Sequence, residues 1–113
     1  MIQGGALHVY GEKPAIGTNL DITMDRINRP MWVRSLCFER SNADAMVAKL
    51  VITYEKGGWG PFTFVIETGV TSAAWSSILE FPLPIGSTIQ FQTTGLGGGD
   101  TVEGVMVLEE MPQ

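Results

Sequence analysis

Reactive side chains are scarce in this 113-residue sequence, which has one cysteine and one histidine. Cys37 alone excludes an internal disulfide, and its place in the apolar run WVRSLCF predicts a small buried hydrophobe instead of a nucleophile. His8 alone offers little support for a catalytic Ser, His and Asp set, and it removes the usual histidine cluster of a cupin-like metal enzyme. We therefore expect no enzymatic activity, no cofactor and no bound metal.

Long hydrophobic runs are absent as well. No apolar stretch approaches the roughly 20 residues that a membrane-spanning helix needs, so no membrane partner is expected. The first five residues, MIQGG, lack the basic and apolar segments of a signal peptide. These absences predict a soluble chain made in a reducing cytoplasm, and the length predicts one domain over residues 1–113.

Basic residues are missing from the second half of the chain. All seven lie in residues 1–56 together with six of the twelve acidic residues, whereas residues 57–113 carry the other six acidic residues. An acidic half repels phosphate, so binding of DNA or RNA is not expected. The alternative to an acidic region is that strands from the two halves interleave and mix the charges in space. Four arginines lie in or near residues 31–40, namely Arg26, Arg29, Arg34 and Arg40. They form either a solvated face or a cluster that meets acidic partners.

The longest alternating apolar runs lie in residues 45–67, AMVAKLVITYEKGGWGPFTFVIE. Every second residue from Met46 to Tyr54 is apolar or aromatic, and Lys49, Thr53 and Glu55 fall on the other face, which is the period of a half-buried strand. Every second residue from Phe62 to Ile66 repeats the pattern. The glycines and proline of GGWGP favour a reversal with Trp59 at its tip, so the segment predicts a β-hairpin.

The remaining alternating segments predict five more short strands, over residues 6–10, 20–24, 31–40, 87–94 and 102–109. In residues 31–40 apolar side chains occupy both faces, which predicts a central strand. Residues 70–81 predict a loop or one short helix that ends at Pro82 and Pro84. We therefore expect an all-β, jelly-roll-like antiparallel sandwich of about seven or eight strands. The predicted core comprises Trp32, Leu36, Phe38, Leu50, Ile52, Phe64, Ile66, Ile89, Phe91 and Val105.

Motifs that resemble functional sites have simpler structural explanations. A strand is predicted to follow GLGGGD at residues 95–100, so a flexible loop is favoured over a phosphate cradle, which requires a helix. The spacing of Asp100 and Glu103 with the two glutamates at 109 and 110 fits no calcium loop. Nothing around Asp21 and Asp25 would tune the pKa of an acid/base pair.

Aromatic residues and the N-terminal arm are the better candidates for contact with a partner. Trp59 lies between glycines at a turn, where an exposed tryptophan is favoured if it covers a partner or a ligand, whereas Trp75 is undecided. The arm, residues 1–5, is either frayed or reaches a neighbouring subunit. The candidate partner-interface residues are Met1, Ile2, Gln3, Arg26, Arg29, Trp59 and Trp75.

The acidic, glycine-rich chain that ends in PLPIGSTIQFQTT and VEGVMVLEE resembles the small jelly-roll cement or decoration proteins of tailed bacteriophage capsids. The resemblance covers size, composition and strand pattern, and it includes no motif from which a functional residue could be assigned. It implies a structural protein on the exterior of the virion that clamps neighbouring capsomers. The implied partners are the major capsid protein and further copies of the chain, as a homodimer or trimer.

The alternative is a carbohydrate- or ligand-binding β-sandwich module, for example in a phage tail or a host-attachment structure. In such a module Trp59 or Trp75 would stack on a sugar ring. Sugar sites usually bring several polar groups close to the aromatic ring, and GGWGP offers few.

Overall fold

The computed structural model describes residues 5–56 and 58–112, apart from the side chains of Lys56 and Trp59, and within these residues it contains eight strands and no helix. The strands are β1 (Leu7–Glu12), β2 (Asp21–Met24), β3 (Met31–Arg40), β4 (Met46–Lys56), β5 (Trp59–Val70), β6 (Ala74–Leu83), β7 (Thr88–Thr94) and β8 (Val102–Glu110).

The strands form two four-stranded antiparallel sheets. The first sheet has the order β1-β8-β3-β6 and the second has the order β2-β7-β4-β5. Each strand pairs with the strand equally far from the other end of the series, β1 with β8, β2 with β7, β3 with β6 and β4 with β5. The chain is thus one long hairpin that closes between β4 and β5 and is rolled into two layers. This order is that of an eight-stranded jelly roll, and the predicted all-β sandwich is confirmed.

The hydrophobic core lies between the inner faces of the two sheets. Phe38 of the first sheet and Phe91 of the second have ring centroids 6.4 Å apart, and Trp75 lies 5.3 Å from Phe38 and 6.1 Å from Phe91. Six residues of the predicted core are buried: Leu36, Phe38, Leu50, Ile52, Ile89 and Phe91. Buried residues that the prediction omitted include Leu20, Ile22, Ile27, Met31, Val33, Leu83, Val102, Met106 and Leu108.

A bulge in β3 explains why the prediction for Trp32 was wrong. The register of β3 against both of its neighbours shifts between Val33 and Ser35. One additional residue in a strand reverses which side the following side chains face. Val33 and Leu36 therefore both point into the core, whereas Trp32 is half-buried outside it, with the Arg34 guanidinium 5.4 Å from its ring centroid.

The predicted loop or helix over residues 70–81 was also wrong, because this segment contains most of β6. Burial alternates strictly along the strand from Ala74 to Leu83, which is the period of a sheet and not of a helix. Pro82 lies inside β6 because β6 is an edge strand, where a missing N–H does not interrupt a ladder on the open side.

The ion pairs show that strands of the two halves of the chain interleave, as one of the two alternatives for the charge distribution predicted. Arg34 of β3 pairs with Glu109 at 2.6 Å and with Glu80 at 3.4 Å. Lys49 pairs with Glu67 across β4 and β5 at 3.9 Å. In each pair a base from residues 1–56 meets an acid from residues 57–113, so the negative second half does not form a separate acidic region.

Arg40 differs from the other arginines because its residue is only 7% exposed. Its guanidinium donates hydrogen bonds to the carbonyl of Ser72 at 2.9 Å, to that of Val70 at 3.2 Å, and to that of Asp44. The prediction of a solvated face is therefore wrong for Arg40. This arginine connects the end of β3 with the β5–β6 connection and with the turn before β4.

Gly104 provides a direct test of how closely β8 is packed. A Cβ atom at this position would lie 2.5 Å from Leu20 Cδ2 and 2.9 Å from the carbonyl oxygen of Cys37. We expect Gly104→Ala to lower the free energy of unfolding by about 1–3 kcal/mol through overpacking, as measured by urea denaturation. The matched control is Gly69→Ala, because an added Cβ there meets nothing within 4 Å. Equal effects of the two substitutions would contradict this account of the packing.

The contacts of Glu110 with His8 and Arg29 predict how the stability of the fold depends on pH. Its carboxylate accepts hydrogen bonds from His8 Nε2 at 3.0 Å and from Arg29 at 2.7 Å, and these bonds hold the pKa of Glu110 below its ordinary value of 4.5. A lowered folded-state pKa stabilises the fold above the unfolded pKa, and this stabilisation is lost as the pH falls through the folded pKa. We expect Glu110→Gln to lower stability at neutral pH.

The difference between the wild type and Glu110→Gln should shrink as the pH falls below about 4.5. Urea denaturation over a pH series measures this difference. Glu80→Gln is the control, since the side chain of Glu80 is 80% exposed and should contribute little. A difference for Glu110→Gln that does not change with pH would contradict the expectation.

Candidate interaction surface

The outer face of the second sheet is mostly polar. One cross-strand row on it carries charged and amide side chains, and the next row is Thr23, Gln90, Val51 and Val65. Such a face is typical of an antiparallel sheet with one side in water. The charged row consists of Asp21, Gln92, Lys49 and Glu67.

The outer face of the first sheet is different, because its two central rows contain no charged residue. The register places Val9, Val107, Ser35 and Ile78 in one row across the four strands. The next row is Gly11, Val105, Cys37 and Ser76. We call these eight residues together with Leu7 the apolar face.

Three large side chains of the apolar face are strongly exposed. Leu7 is 62% exposed, Val9 is 64% exposed and Ile78 is 89% exposed. Leu7 and Val9 are neighbours on the edge strand β1, whereas Ile78 lies on the opposite edge strand β6, with Val107 and Ser35 between it and Val9. Single exposed apolar residues are ordinary, but several on one uncharged sheet face favour a binding surface. Val105 belongs to this face and not to the core, so its predicted place in the core was wrong.

Charged residues border the apolar face at both ends. At one end the adjoining row contains Glu39 and Glu103, with Lys13 Nζ 4.0 Å from a carboxylate oxygen of Glu103. At the other end lie Arg34 and Glu109, joined by the 2.6 Å ion pair. An apolar centre with a charged rim is the usual composition of a protein–protein interface.

A shallow groove of about 660 Å³ crosses the apolar face toward its acidic end. Small residues make the surface concave there: Cys37, Ala74 and Ser76 lie on the adjacent strands β3 and β6, and Gly11 lies on β1, across Val105 of β8. The charged residues at its margin are Glu12, Lys13, Glu39 and Glu103. The groove has room for protruding side chains of a partner and is open along its length.

The residues chosen from the sequence as interface candidates lie elsewhere or outside the described residues. Met1, Ile2 and Gln3 lie outside them, and Trp59 is described only as the first residue of β5, paired with Lys56. Arg29 and Arg26 lie in the β2–β3 connection. Arg29 pairs with Glu110 of β8, and Arg26 is exposed with a φ of 43°.

Trp75 faces inward on β6 as the cross-strand partner of Phe38. It packs against the core and also forms part of the groove wall. A sugar ring could not stack on the face of the indole that the Phe38 ring already covers.

The other motifs of the sequence form no site among the described residues. Asp21 accepts a hydrogen bond from the Thr23 hydroxyl at 3.0 Å, and Asp100 accepts one from the Ser41 hydroxyl at 3.3 Å. Within residues 5–56 and 58–112 no three histidine, cysteine, aspartate or glutamate side chains are close enough to hold a metal ion. The same residues include no helix of the length and apolarity needed to cross a membrane.

Comparison with known proteins finds no matching family model and no matching curated protein. Among solved structures, the chain is similar to a chain in a structure of infectious bursal disease virus, Gx strain, with a TM-score of 0.36 and 11% sequence identity. The match covers 97% of this chain and 43% of that chain, so the protein spans less than half the length of this neighbour. A likeness of this size carries no argument about function.

Proposed function

We propose that this protein is a structural protein of a virion, which binds the exterior of a tailed-bacteriophage capsid and clamps neighbouring capsomers. The observation that carries the binding role is the apolar face, in which two adjoining rows of uncharged residues cross all four strands of one sheet. The capsid as partner rests on the resemblance in size, composition and strand pattern to decoration proteins. The jelly roll itself supports many functions and does not choose among them.

The difference between the two outer faces favours a protein that lies flat on a partner. The apolar face would be buried against the capsid, and the outer face of the second sheet, with Asp21, Lys49 and Glu67, would remain in water. A wide face suits a clamp because one molecule can then touch two neighbouring subunits. A deep pocket would serve a small ligand better.

Attachment of this kind stabilises a shell by mass action. A protein that binds the assembled shell and not its dissociated subunits stabilises the assembled state, and this stabilisation grows with the logarithm of the protein's concentration over its Kd. The binding energy would come from a few apolar anchors, and the residues around them would exclude water while contributing little binding energy themselves. Ile78 is the first candidate anchor because it is the most exposed large apolar residue of the apolar face.

The experiment that tests the function is addition of the purified protein to phage heads assembled without a decoration protein. We expect the protein to co-sediment with the heads at saturating stoichiometry and to raise the temperature at which they release DNA. Heads that bind no protein, or that are equally heat-labile with and without it, would contradict the capsid role.

Ile78→Lys tests the surface assigned to this binding. Because Ile78 is 89% exposed, the substitution should change the free energy of unfolding by no more than about 0.5 kcal/mol. A lysine at the β6 edge of the apolar face should nevertheless weaken attachment by about 2 kcal/mol or more if Ile78 is an anchor. Co-sedimentation over a concentration series measures the affinity.

The control is Thr23→Lys, which adds the same charge to the polar outer face of the second sheet. This variant should bind as the wild type does. Equal losses in both variants would show that added charge alone is responsible. Unchanged binding of Ile78→Lys would show that Ile78 is not an anchor.

Trp59 and residues 1–3 stay predicted contributors to the same attachment. Trp59→Ala and deletion of Met1, Ile2 and Gln3 each serve as a further variant in the co-sedimentation experiment.

A further inference from the structure

We infer that β5 is a self-association edge, at which two copies of this chain pair antiparallel through residues 62–66 and join their second sheets into one continuous sheet. The inference concerns a surface separate from the apolar face, because β5 belongs to the other sheet and lies at its end.

The first observation is an apolar inner face that the sandwich leaves uncovered. Leu50 and Ile52 of β4 are each 2% exposed, whereas their cross-strand partners on β5, Ile66 and Phe64, are 41% and 54% exposed. Directly paired residues of two antiparallel strands lie on the same face of the sheet. The opposing sheet therefore covers Leu50 and Ile52 of β4 but leaves the paired residues of β5 largely uncovered, and the predicted core position of Phe64 and Ile66 was wrong for this reason.

The uncovered part begins close to the turn into β6. Val70, next to this turn, is 3% exposed, whereas Ile66 is 41%, Phe64 54% and Phe62 49% exposed. The two sheets thus meet at the β5–β6 connection and separate away from it. Each half-exposed phenylalanine leaves about 100 Å² of apolar surface in water.

The second observation is that residues 62–66 of β5 lack the features that usually protect an edge strand. Natural edges are short, or carry charged residues, proline or bulges. The edge strand β2 has four residues and begins at Asp21, and β6 carries Glu80 and Pro82. In β5, which has twelve residues, the proline and the charge are Pro61 and Glu67, and the segment FTFVI between them contains neither.

The partner at the β5 edge is a second copy of this chain, because residues 62–66 are complementary to themselves in an antiparallel pair. In an antiparallel pair centred on Phe64, Phe62 of one copy lies opposite Ile66 of the other, and Phe64 lies opposite Phe64. Six apolar side chains then form one band on the inner face, which matches aromatic with aromatic and aliphatic residues. On the outer face Thr63 would lie opposite Val65.

The single charge of β5 also favours this register. Glu67 would lie opposite Pro61 of the second copy, and the two Glu67 side chains would be about 20 Å apart along the strands. A register centred on Ile66 would bring these two carboxylates within about 7 Å of each other. Like charges at that separation destabilise a pair, so the register centred on Phe64 is preferred.

The surface available is close to what a stable dimer needs. Phe62, Phe64, Val65 and Ile66 together expose on the order of 350 Å² of apolar surface in each copy. Two copies bring on the order of 700 Å² from these side chains, and the newly paired backbone and flanking residues add to this toward the ~1,000 Å² of a specific interface.

The test is sedimentation equilibrium of the full chain over micromolar to submillimolar concentrations. The wild type should show the mass of two chains, and Phe64→Asp should weaken self-association by about thirtyfold or more. Ile85→Asp is the matched control, because Ile85 is 49% exposed but lies in the β6–β7 connection, and it should dimerise as the wild type does. A wild-type mass of one chain throughout, or an undiminished dimer of Phe64→Asp, would overturn the inference.

Cysteine cross-linking tests the register without relying on the stability of Phe64→Asp. In a Cys37→Ser background, Phe64→Cys should form a disulfide-linked dimer on mild oxidation, because directly opposite Cα atoms of an antiparallel pair are about 4.5–5.5 Å apart, within the range of a disulfide. Thr68→Cys should not, since its two copies would be about 26 Å apart along the strands. Equal cross-linking of both variants, or none with Phe64→Cys, would overturn the register.

These results are separable from the capsid role. Ile78→Lys should keep the dimer mass while losing attachment to heads, and failure of either property leaves the other measurable.

Discussion

The packing of two inner sheet faces around Phe38, Phe91 and Trp75 is the interaction on which the rest of the structure depends. A strand presents side chains to both sides of its sheet, but a two-layer sandwich covers only the side that faces the other sheet. Burial of the inner faces determines which residues must point inward. The outer faces and the ends of the sheets are then left to face water or a partner, and their composition indicates which.

Interleaving of the chain's two halves follows from the same arrangement. Because β1 pairs with β8 and β3 pairs with both β6 and β8, bases from residues 1–56 meet acids from residues 57–113 within the first sheet. Charges that look segregated along the sequence are therefore neighbours in space. What distinguishes the molecule is the contrast between an outer face with Asp21, Lys49 and Glu67 and one whose central rows are uncharged and end in Val9 and Ile78.

Most strands could be predicted from the sequence, because alternation of apolar and polar residues is a local signal. Met31–Arg40 was predicted with the bounds that the structure has. The strand β6 was missed because Ser77 occupies an inward position and Ile78 an outward one, which weakens the apolar alternation. The bulge near Val33 could not be foreseen, since one additional residue in a strand leaves no mark in composition.

The candidate surfaces depended on topology, which is why sequence reasoning did not locate them. Apolar residues on both sides of β3 predicted a central strand, and β3 is central in its sheet. Nothing in the pattern showed that one of those sides faces outward. Likewise, the alternation of Phe62, Phe64 and Ile66 predicts an inward face, but only the strand order reveals that β5 extends past the opposing sheet.

The central claim is that the apolar face is buried against a protein partner, and side-chain footprinting by hydroxyl radicals of free and head-bound protein tests it most directly. The account predicts that oxidation of Leu7, Val9 and Ile78 falls on binding, while labelling of Val51, on the polar outer face of the second sheet, does not change. Protection of Val51 with unchanged oxidation of Leu7, Val9 and Ile78 would contradict it.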